Sequence, residues 1–318
     1  MSRNWLRRAL LAAACVSSAL LAACGSGTIE SQLQPTRIVS FGDGFSDVGQ
    51  AGTSYTVNDG SVNNWTIELA ARFARPMGPL SAGGKSYAAG NARVNTKPDA
   101  AGKAATLTVK EQIDAFLAAD TVGATDLVLV QGGVSDVIAE TAKVISGTQT
   151  TDQALATVRQ AGRDLGTQVR RLVQTAGGRF VVVVGPFNLG RTPWAIQTGM
   201  GATLETLSNK FNEELLVSIV DLGANVLYVD AALHYNLVTA VPANYSLTDA
   251  VTVSCNSADA GPGIGTGNGQ VNSALCNPNT IAAGVNYPTF VFADRVYPTP
   301  QAHRLFGDYA YDRIRARW

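Results

Sequence analysis

The sequence predicts an α/β protein in which a mainly parallel sheet is covered by helices on both faces. Two observations lead to this fold class. Short, continuous apolar runs rich in β-branched residues recur along the chain, most clearly at 126–133 and 179–186. Longer amphipathic stretches separate these runs. Strands that are apolar on both sides require cover on both faces, which is the arrangement found in parallel sheets.

The elements follow one another in an alternating order. Strands are predicted at 37–41, 126–133, 179–186, 225–230 and 289–294. Helices are predicted at 63–74, 106–119, 152–175, 202–222 and 298–318. The chain has 318 residues, of which 46% are hydrophobic, and it shows no internal repeat and no linker between domains. These properties suffice for one large domain, which we place at residues 36–318.

Three polar turns follow predicted strands: GDGFSD at 42–47, GGVSD at 132–136 and DRVYPT at 294–299. In parallel sheets, ligand chemistry collects at the carboxyl ends of the strands. We therefore expect these turns to converge at one edge and to form a site. The alternative is that they only end strands, since Gly, Asp and Ser are common turn residues.

The first 23 residues have the features of a secretory signal, with three arginines followed by a short apolar stretch. The stretch ends in LLAAC, which resembles a bacterial lipobox and predicts an acylated Cys24. Residues 24–35 would then be a flexible linker to a membrane anchor, at the outer membrane or the cell surface. Ordinary cleavage after a small residue is the alternative. Cleavage before Cys15 would leave almost no apolar region.

Charge and cysteine content exclude several classes of protein. Without the signal the chain has 21 basic and 24 acidic residues and no basic patch, so nucleic acid is not an expected partner. Only Cys255 and Cys276 follow the signal and linker, and an exported protein enters an oxidising space, which favours a disulfide between them. Two free buried thiols are the alternative. No CxxC pair or His/Cys cluster indicates a metal site, and no cofactor is expected.

The three turns, in that order, resemble the motifs of the SGNH/GDSL hydrolase family. The stretches YAAGNAR (87–93) and GRTPW (190–194), and the segment near Cys276, are also similar to that family. The resemblance covers nearly all of residues 36–315. It implies a flavodoxin-like three-layer α/β/α sandwich and ester hydrolysis by a Ser–His–Asp triad. It also implies an oxyanion hole made by two backbone amides and an asparagine side chain.

Carried over one residue at a time, the resemblance places substitutions at the reacting positions. The nucleophilic serine falls on Gly44, which has no hydroxyl to attack a carbonyl. The histidine falls on Tyr297, and a phenol with an ordinary pKa near ~10 is a poor base at neutral pH. The acid, Asp294, is retained, although it has lost the imidazole that it would orient.

The oxyanion hole changes as well. Its asparagine falls on Ser135, a shorter donor. Gly90 is retained and its neighbour is Asn91, and we expect the backbone amides of both to remain available. Loss of one triad residue in a serine hydrolase typically costs roughly 10⁴–10⁶ in turnover. The combined substitutions therefore predict a site without hydrolytic chemistry.

Ser46 and His303 are the candidates for a relocated pair. We expect Ser46 to cap a following helix and His303 to be a packed helix residue, while His234 is expected to be a surface or core histidine. The leading hypothesis is an envelope lipoprotein with an esterase fold and a binding or structural role, whose ligand would be an acyl group, an ester, a carbohydrate or an envelope protein. The alternative is an active esterase or lipase that uses Ser46 and His303.

Overall fold

The centre of the molecule is a four-stranded parallel sheet. The computed structural model describes residues 33–318, and its strand order is β1-β2-β3-β4. These strands are β1 (Ile38–Phe41), β2 (Leu127–Gln131), β3 (Phe180–Val184) and β4 (Val226–Tyr228). Ile38 pairs with Leu127, and Leu127 with Phe180, so the amino ends of the first three strands are level. Four of the five predicted strands are confirmed here within a few residues at each end.

A short extended segment runs along the outer edge of β1. The amide of Ser40 donates to the carbonyl of Lys85 at 3.1 Å, and the amide of Tyr87 donates to the carbonyl of Ser40 at 2.7 Å. The bridge between Ser40 and Ser86 is parallel. If this segment is counted as a strand, the spatial order becomes 2-1-3-4-5, which is the flavodoxin-like order.

Eight α-helices of the described residues cover the two faces of the sheet. They are α1 (Trp65–Arg72), α2 (Val109–Ala119), α3 (Val134–Ile145), α4 (Thr151–Gln174), α5 (Pro193–Thr198), α6 (Gly201–Ile219), α7 (Ala231–Ala240) and α8 (Pro300–Arg317). Alternate strand residues belong to two separate cores. Leu127 and Leu129 pack with α1, α3, α7 and α8, whereas Val128 and Val130 pack with α2, α4 and α6. The three-layer α/β/α fold is therefore as predicted.

The last predicted strand does not join the central sheet, which corrects the prediction of one sheet for all strands. This strand, β8 (Phe290–Phe292), pairs in parallel with β5 (Asp249–Val253) in a two-stranded sheet. The sequence of β5 has exposed positions next to buried ones, so it lacked the continuous apolar pattern of the other strands. A second small sheet joins β6 (Ala258–Asp259) to β7 (Gln270–Val271).

A disulfide joins Cys255 to Cys276, with 6.0 Å between their Cα atoms, as predicted. The amide of Cys255 donates to the carbonyl of Ala293 at 3.0 Å, and the amide of Asn58 donates to the carbonyl of Cys276 at 2.9 Å. The cross-link therefore fastens the glycine-rich loop to the residue that precedes Asp294.

The predicted signal peptide, Cys15 and Cys24 lie outside the described residues, as does most of the predicted linker. Leu33, at the start of the described residues, is buried. Within residues 33–318, no helix has the length and apolar character needed to cross a bilayer.

Candidate active site

The turn after β1 and the turn after β2 are joined by the carboxylate of Asp43. Its Oδ2 accepts a hydrogen bond from the amide of Ser135 at 3.2 Å, and its Oδ1 accepts one from the amide of Phe45 at 3.0 Å. Asp43 is fully buried, and burial raises its pKa to about 6 despite these bonds. The carboxylate holds the two turns next to each other. The prediction that these two turns converge is therefore confirmed.

The third turn reaches the same place through Tyr297, whose ring lies over Gly44. Tyr297 is fully buried. A Cβ atom added to Gly44 would lie 2.6 Å from Tyr297 Oη and 2.8 Å from Cζ. Gly44 is not among the residues with positive φ, so its backbone does not itself require glycine. The phenol occupies the space that a nucleophile's side chain at residue 44 would need.

The phenol of Tyr297 is not prepared for proton transfer. Burial raises its pKa well above 10, and the nearby Asp43 carboxylate adds to the rise, while the Ser135 hydroxyl opposes it. Among the described residues, neither Tyr297 Oη nor Ser135 Oγ has a hydrogen bond of normal geometry. A group that holds its proton this firmly does not act as a base near neutral pH.

The retained acid, Asp294, now binds backbone amides. Its Oδ1 accepts hydrogen bonds from the amides of Val296 at 2.8 Å and Tyr297 at 2.6 Å, and its Oδ2 accepts one from Ser273 at 3.0 Å. Burial raises its pKa. Asp294 therefore shapes the turn that presents Tyr297, and it joins this turn to the disulfide-closed loop.

Gly90, the glycine of the expected oxyanion hole, is in contact with the side chains of Asp47 and Tyr55. This corrects the prediction that its amide is available. The amide of Gly90 donates to Asp47 Oδ2 at 2.7 Å. The ring of Tyr55 lies against Gly90, since a Cβ atom added there would be 2.0 Å from Tyr55 Oη. Asn91 has a φ of 62°, and its Nδ2 donates to the carbonyl of Gly263 at 3.0 Å.

Ser46 and His303 are both buried, and each is held by packing. Ser46 Oγ accepts a hydrogen bond from the indole nitrogen of Trp65 at 3.1 Å. The expectation that Ser46 caps a helix is wrong, because α1 begins at Trp65 and is capped by Asn64. His303 lies on α8, as expected, with its ring 5.2 Å from that of Phe45. Burial lowers the pKa of His303 to about 3.

His234 lies on α7 and is buried among aromatic side chains, including Tyr309 at 5.1 Å between ring centroids. Burial lowers its pKa to about 4. It is therefore a core histidine, one of the two positions expected for it. Among residues 33–318, no group of three or more His, Cys, Asp or Glu side chains is placed to bind a metal ion.

A cavity of about 210 Å³ remains open beside the occupied site. Asp47, Tyr55, Gly90, Asn91 and Lys103 are among its lining residues. Most of the Asp47 carboxylate is already bound by backbone amides, at Gly49, Gln50 and Gly90. Lys103 offers an ammonium and Tyr55 a hydroxyl, which accepts a hydrogen bond from Asn91 Nδ2 at 3.5 Å. Asn91 Oδ1 is a buried acceptor that has no hydrogen bond among the described residues.

The sequence model of the GDSL-like lipase/acylhydrolase family matches residues 38–310 of this chain. The protein belongs to this family. The match spans all four strands of the central sheet and the three turns of the site. The family match is consistent with the fold, whereas the contacts at Gly44, Gly90 and Tyr297 are properties of this chain.

Three curated relatives cover only part of the GDSL-family chain. It is 27% identical to an uncharacterized protein in the trpE-trpG intergenic region of Pseudomonas putida. The aligned 161 residues make up 50% of this chain and 25% of that relative. It is 28% identical to Esterase EstA of Pseudomonas aeruginosa and to Esterase EstA of Pseudomonas putida. In each case the aligned 145 residues make up 44% of this chain and 20% of the relative. The matches thus span about a quarter or less of each relative.

Sequence reasoning missed two residues of the site. In the sequence, Asp47 is only one residue of the GDSL-like motif. Its hydrogen bond with the amide of Gly90 depends on a contact between residues 43 positions apart. Tyr55 lies in an irregular loop with no periodic pattern, and its ring also packs 5.1 Å from that of Tyr297. No local signal in the sequence identifies the position of Tyr55, because the loop's path is decided by tertiary packing.

Proposed function

We propose that this protein is a non-catalytic member of the GDSL-like family that has a binding or structural role in the bacterial envelope. The observation that carries the proposal is the position of the Tyr297 phenol over Gly44, where a nucleophile would need space. The hydrogen bond that the backbone amide of Gly90 donates to the Asp47 carboxylate supports it, because this donor is not free for an oxyanion. Efficient ester hydrolysis combines a nucleophile and a base with such donors, and each of them contributes to the rate.

The anchoring part of the proposal rests on Cys24, which would be acylated and would hold the domain at a membrane face. The disulfide between Cys255 and Cys276 supports export, since disulfides are typical of proteins outside the cytosol.

A binding role would use the cavity beside Tyr55. Its volume of about 210 Å³ suits a small ligand or one residue of a longer one. Lys103, Tyr55 and Asn91 offer an ammonium, a hydroxyl and an amide oxygen, which suit a ligand with both donors and acceptors. A carbohydrate or the polar head of an acyl ester has this chemistry. An envelope protein that covers the cavity is the structural version of the same proposal.

The test is hydrolysis of a short-chain nitrophenyl ester by the purified wild-type protein and by a triple variant, Gly44→Ser, Ser135→Asn, Tyr297→His. We expect no turnover above background from the wild type and measurable turnover from the triple variant. Gly44→Ser alone is the matched control, because Tyr297 remains over the new side chain and activity should stay at background.

The alternative function, an esterase that uses Ser46 and His303, makes the opposite prediction. Robust wild-type turnover that is abolished by Ser46→Ala and by His303→Ala would overturn the proposal. A folded but inactive triple variant would show that further contacts close the pocket, and Tyr55 and Asp47 at Gly90 are the contacts to relieve next.

A further inference from the structure

The described chain begins at the end of the domain that is opposite the candidate site. The amide of Leu33 donates to the carbonyl of Trp318 at 3.3 Å, and the indole of Trp318 packs on Phe180 with 5.3 Å between ring centroids. Phe180 is the first residue of β3. Leu33 therefore lies at the amino ends of the strands, whereas Gly44 and Tyr297 lie beyond their carboxyl ends. A strand and its turn place roughly 20 Å between the two ends.

Several arginines surround this starting point. Arg75 Nε donates to the carbonyl of Pro35 at 2.6 Å. Arg179 directly precedes Phe180. Arg313, Arg315 and Arg317 lie on the last two turns of α8, which ends at Arg317 and is followed by Trp318. None of these five arginines has an ion pair within residues 33–318. We call this group the arginine end.

Most carboxylates near the arginine end are already neutralised. Asp120 and Asp126 bind Arg37, and Lys85 also binds Asp120. Arg170 binds Asp221. Asp312, on α8, is the acid that remains closest in sequence to the unpaired arginines. The arginine end therefore has a net positive charge although the whole chain has none. Favourable interaction with the helix dipole accounts for cations at the end of α8, but not for Arg75 or Arg179.

Two apolar side chains stand out beside these charges. Val217 and Val220 are 72% and 80% exposed, the highest values among the large hydrophobic side chains of the described residues. They lie at the end of α6 and in the turn after it. The guanidinium of Arg317 donates to the carbonyl of Gly223, three residues after Val220, so the apolar pair and the arginines share one surface. Exposed valines among arginines are suited to the interface of an anionic bilayer.

We propose that the arginine end, with Val217 and Val220, docks on an anionic lipid surface and directs the candidate site away from the membrane. The inference rests on the proposed acylation of Cys24. From Cys24 to Leu33 there are nine residues, which span at most about 30 Å. A domain anchored this closely must present the end at which its chain begins, and that end is the basic one.

The experiment uses the full acylated protein, reconstituted into vesicles of phosphatidylcholine with or without phosphatidylglycerol. A nitroxide label is placed at Val220→Cys or, as a matched control at the site edge, at exposed Ala105→Cys. Accessibility to a water-soluble nickel chelate is then measured. We expect the label at 220 to be severalfold less accessible than the label at 105 in anionic vesicles, and salt to weaken this protection.

A pair of charge variants tests the role of the arginines. Arg313→Gln with Arg315→Gln should lower the ratio of docked to free domain by about tenfold or more. Arg163→Gln with Arg191→Gln removes the same charge from other surfaces and should leave the protection unchanged, since Glu214 keeps Arg159 as its partner. Equal accessibility of the two labels in anionic vesicles, or equal effects of the two charge variants, would overturn the docking proposal.

The docking proposal and the anchor proposal fail separately. Mass spectrometry of the amino-terminal peptide reports whether Cys24 carries an acyl chain. If it does not, anchoring is overturned, and flotation with anionic vesicles then tests the surface alone. Protein that floats with the label at 220 protected keeps the docking surface, whereas protein that stays in solution overturns it.

Discussion

At the scale of single residues, Gly44 and Tyr297 are complementary in shape. The phenol would collide with any side chain at residue 44, and glycine is the residue that leaves room for it. Asp294 supports the arrangement by accepting hydrogen bonds from the amides of Val296 and Tyr297. Residues that resemble catalytic positions in the sequence are thus used here for packing and for shaping a turn.

This complementarity predicts that Gly44→Ala destabilises the protein. The new Cβ atom would meet Tyr297 Oη at 2.6 Å, and overpacking of this kind costs about 1–3 kcal/mol. Urea unfolding measures the change. Gly223→Ala is the control, because residue 223 has an αR backbone and open space around it, and it should be neutral or slightly stabilising. Equal stability of the two variants would contradict the contact.

His303 predicts a pH dependence of stability. Its folded pKa, about 3, lies below its ordinary value of 6.5 because of burial, so the unfolded chain binds a proton more readily between these values. Stability is complete above about pH 6.5 and is lost as the pH falls towards 3. Because of this one group, we expect the free energy of unfolding to be about 2 kcal/mol lower at pH 5 than well above pH 6.5.

The replacement His303→Phe removes this titration and keeps an aromatic ring against Phe45. We expect the free energy of unfolding to fall less between pH 7.5 and pH 5 in the variant than in the wild type. Urea unfolding at the two pH values measures the difference. An unchanged pH dependence would mean that the imidazole of His303 is not buried in a neutral form.

At the scale of elements, the site depends on a segment outside the central sheet. The turn that carries Asp294 and Tyr297 follows β8, which pairs with β5. The disulfide-closed loop between residues 255 and 276 packs against this turn through the amide of Ser273, which donates to Asp294. The loop therefore lies against the turn that carries Asp294 and Tyr297.

The disulfide predicts a redox-dependent stability. Replacing both Cys255 and Cys276 with Ala removes a cross-link between residues 21 apart in sequence, at a cost of about 3 kcal/mol. Thermal unfolding with and without a reducing agent measures the effect. The wild type should lose stability on reduction, whereas the double variant should be unaffected by the agent. A wild type that is insensitive to complete reduction would contradict this role.

At the scale of the whole molecule, the two ends of the sheet have different properties. The carboxyl ends carry the occupied site and the cavity beside Tyr55. The amino ends carry, beside Leu33, arginines that have no ion pair within residues 33–318. The proposed anchor at Cys24 connects to the second of these ends. In the proposed orientation, the cavity would face away from the lipid surface.

The anchor predicts that Cys24→Ser moves the protein out of the membrane fraction. Loss of the proposed acylation site would remove about 0.8 kcal/mol for each CH₂ that the acyl group buries. Fractionation of cells and incorporation of labelled palmitate measure the change. Cys15→Ser is the matched control and should leave both unchanged. Membrane association of Cys24→Ser without incorporated palmitate would attribute binding to the arginine end alone.

The sequence by itself determined the fold class, the disulfide pair and the positions of the three turns. Continuous apolar strands, amphipathic helices and turn residues are local properties, so they can be read one segment at a time. Tertiary structure alone decided that β8 leaves the central sheet, that Asp47 takes the amide of Gly90, and that Tyr55 and Tyr297 fill the space above the two glycines. These are contacts between segments far apart in the chain, and they depend on how the loops pack.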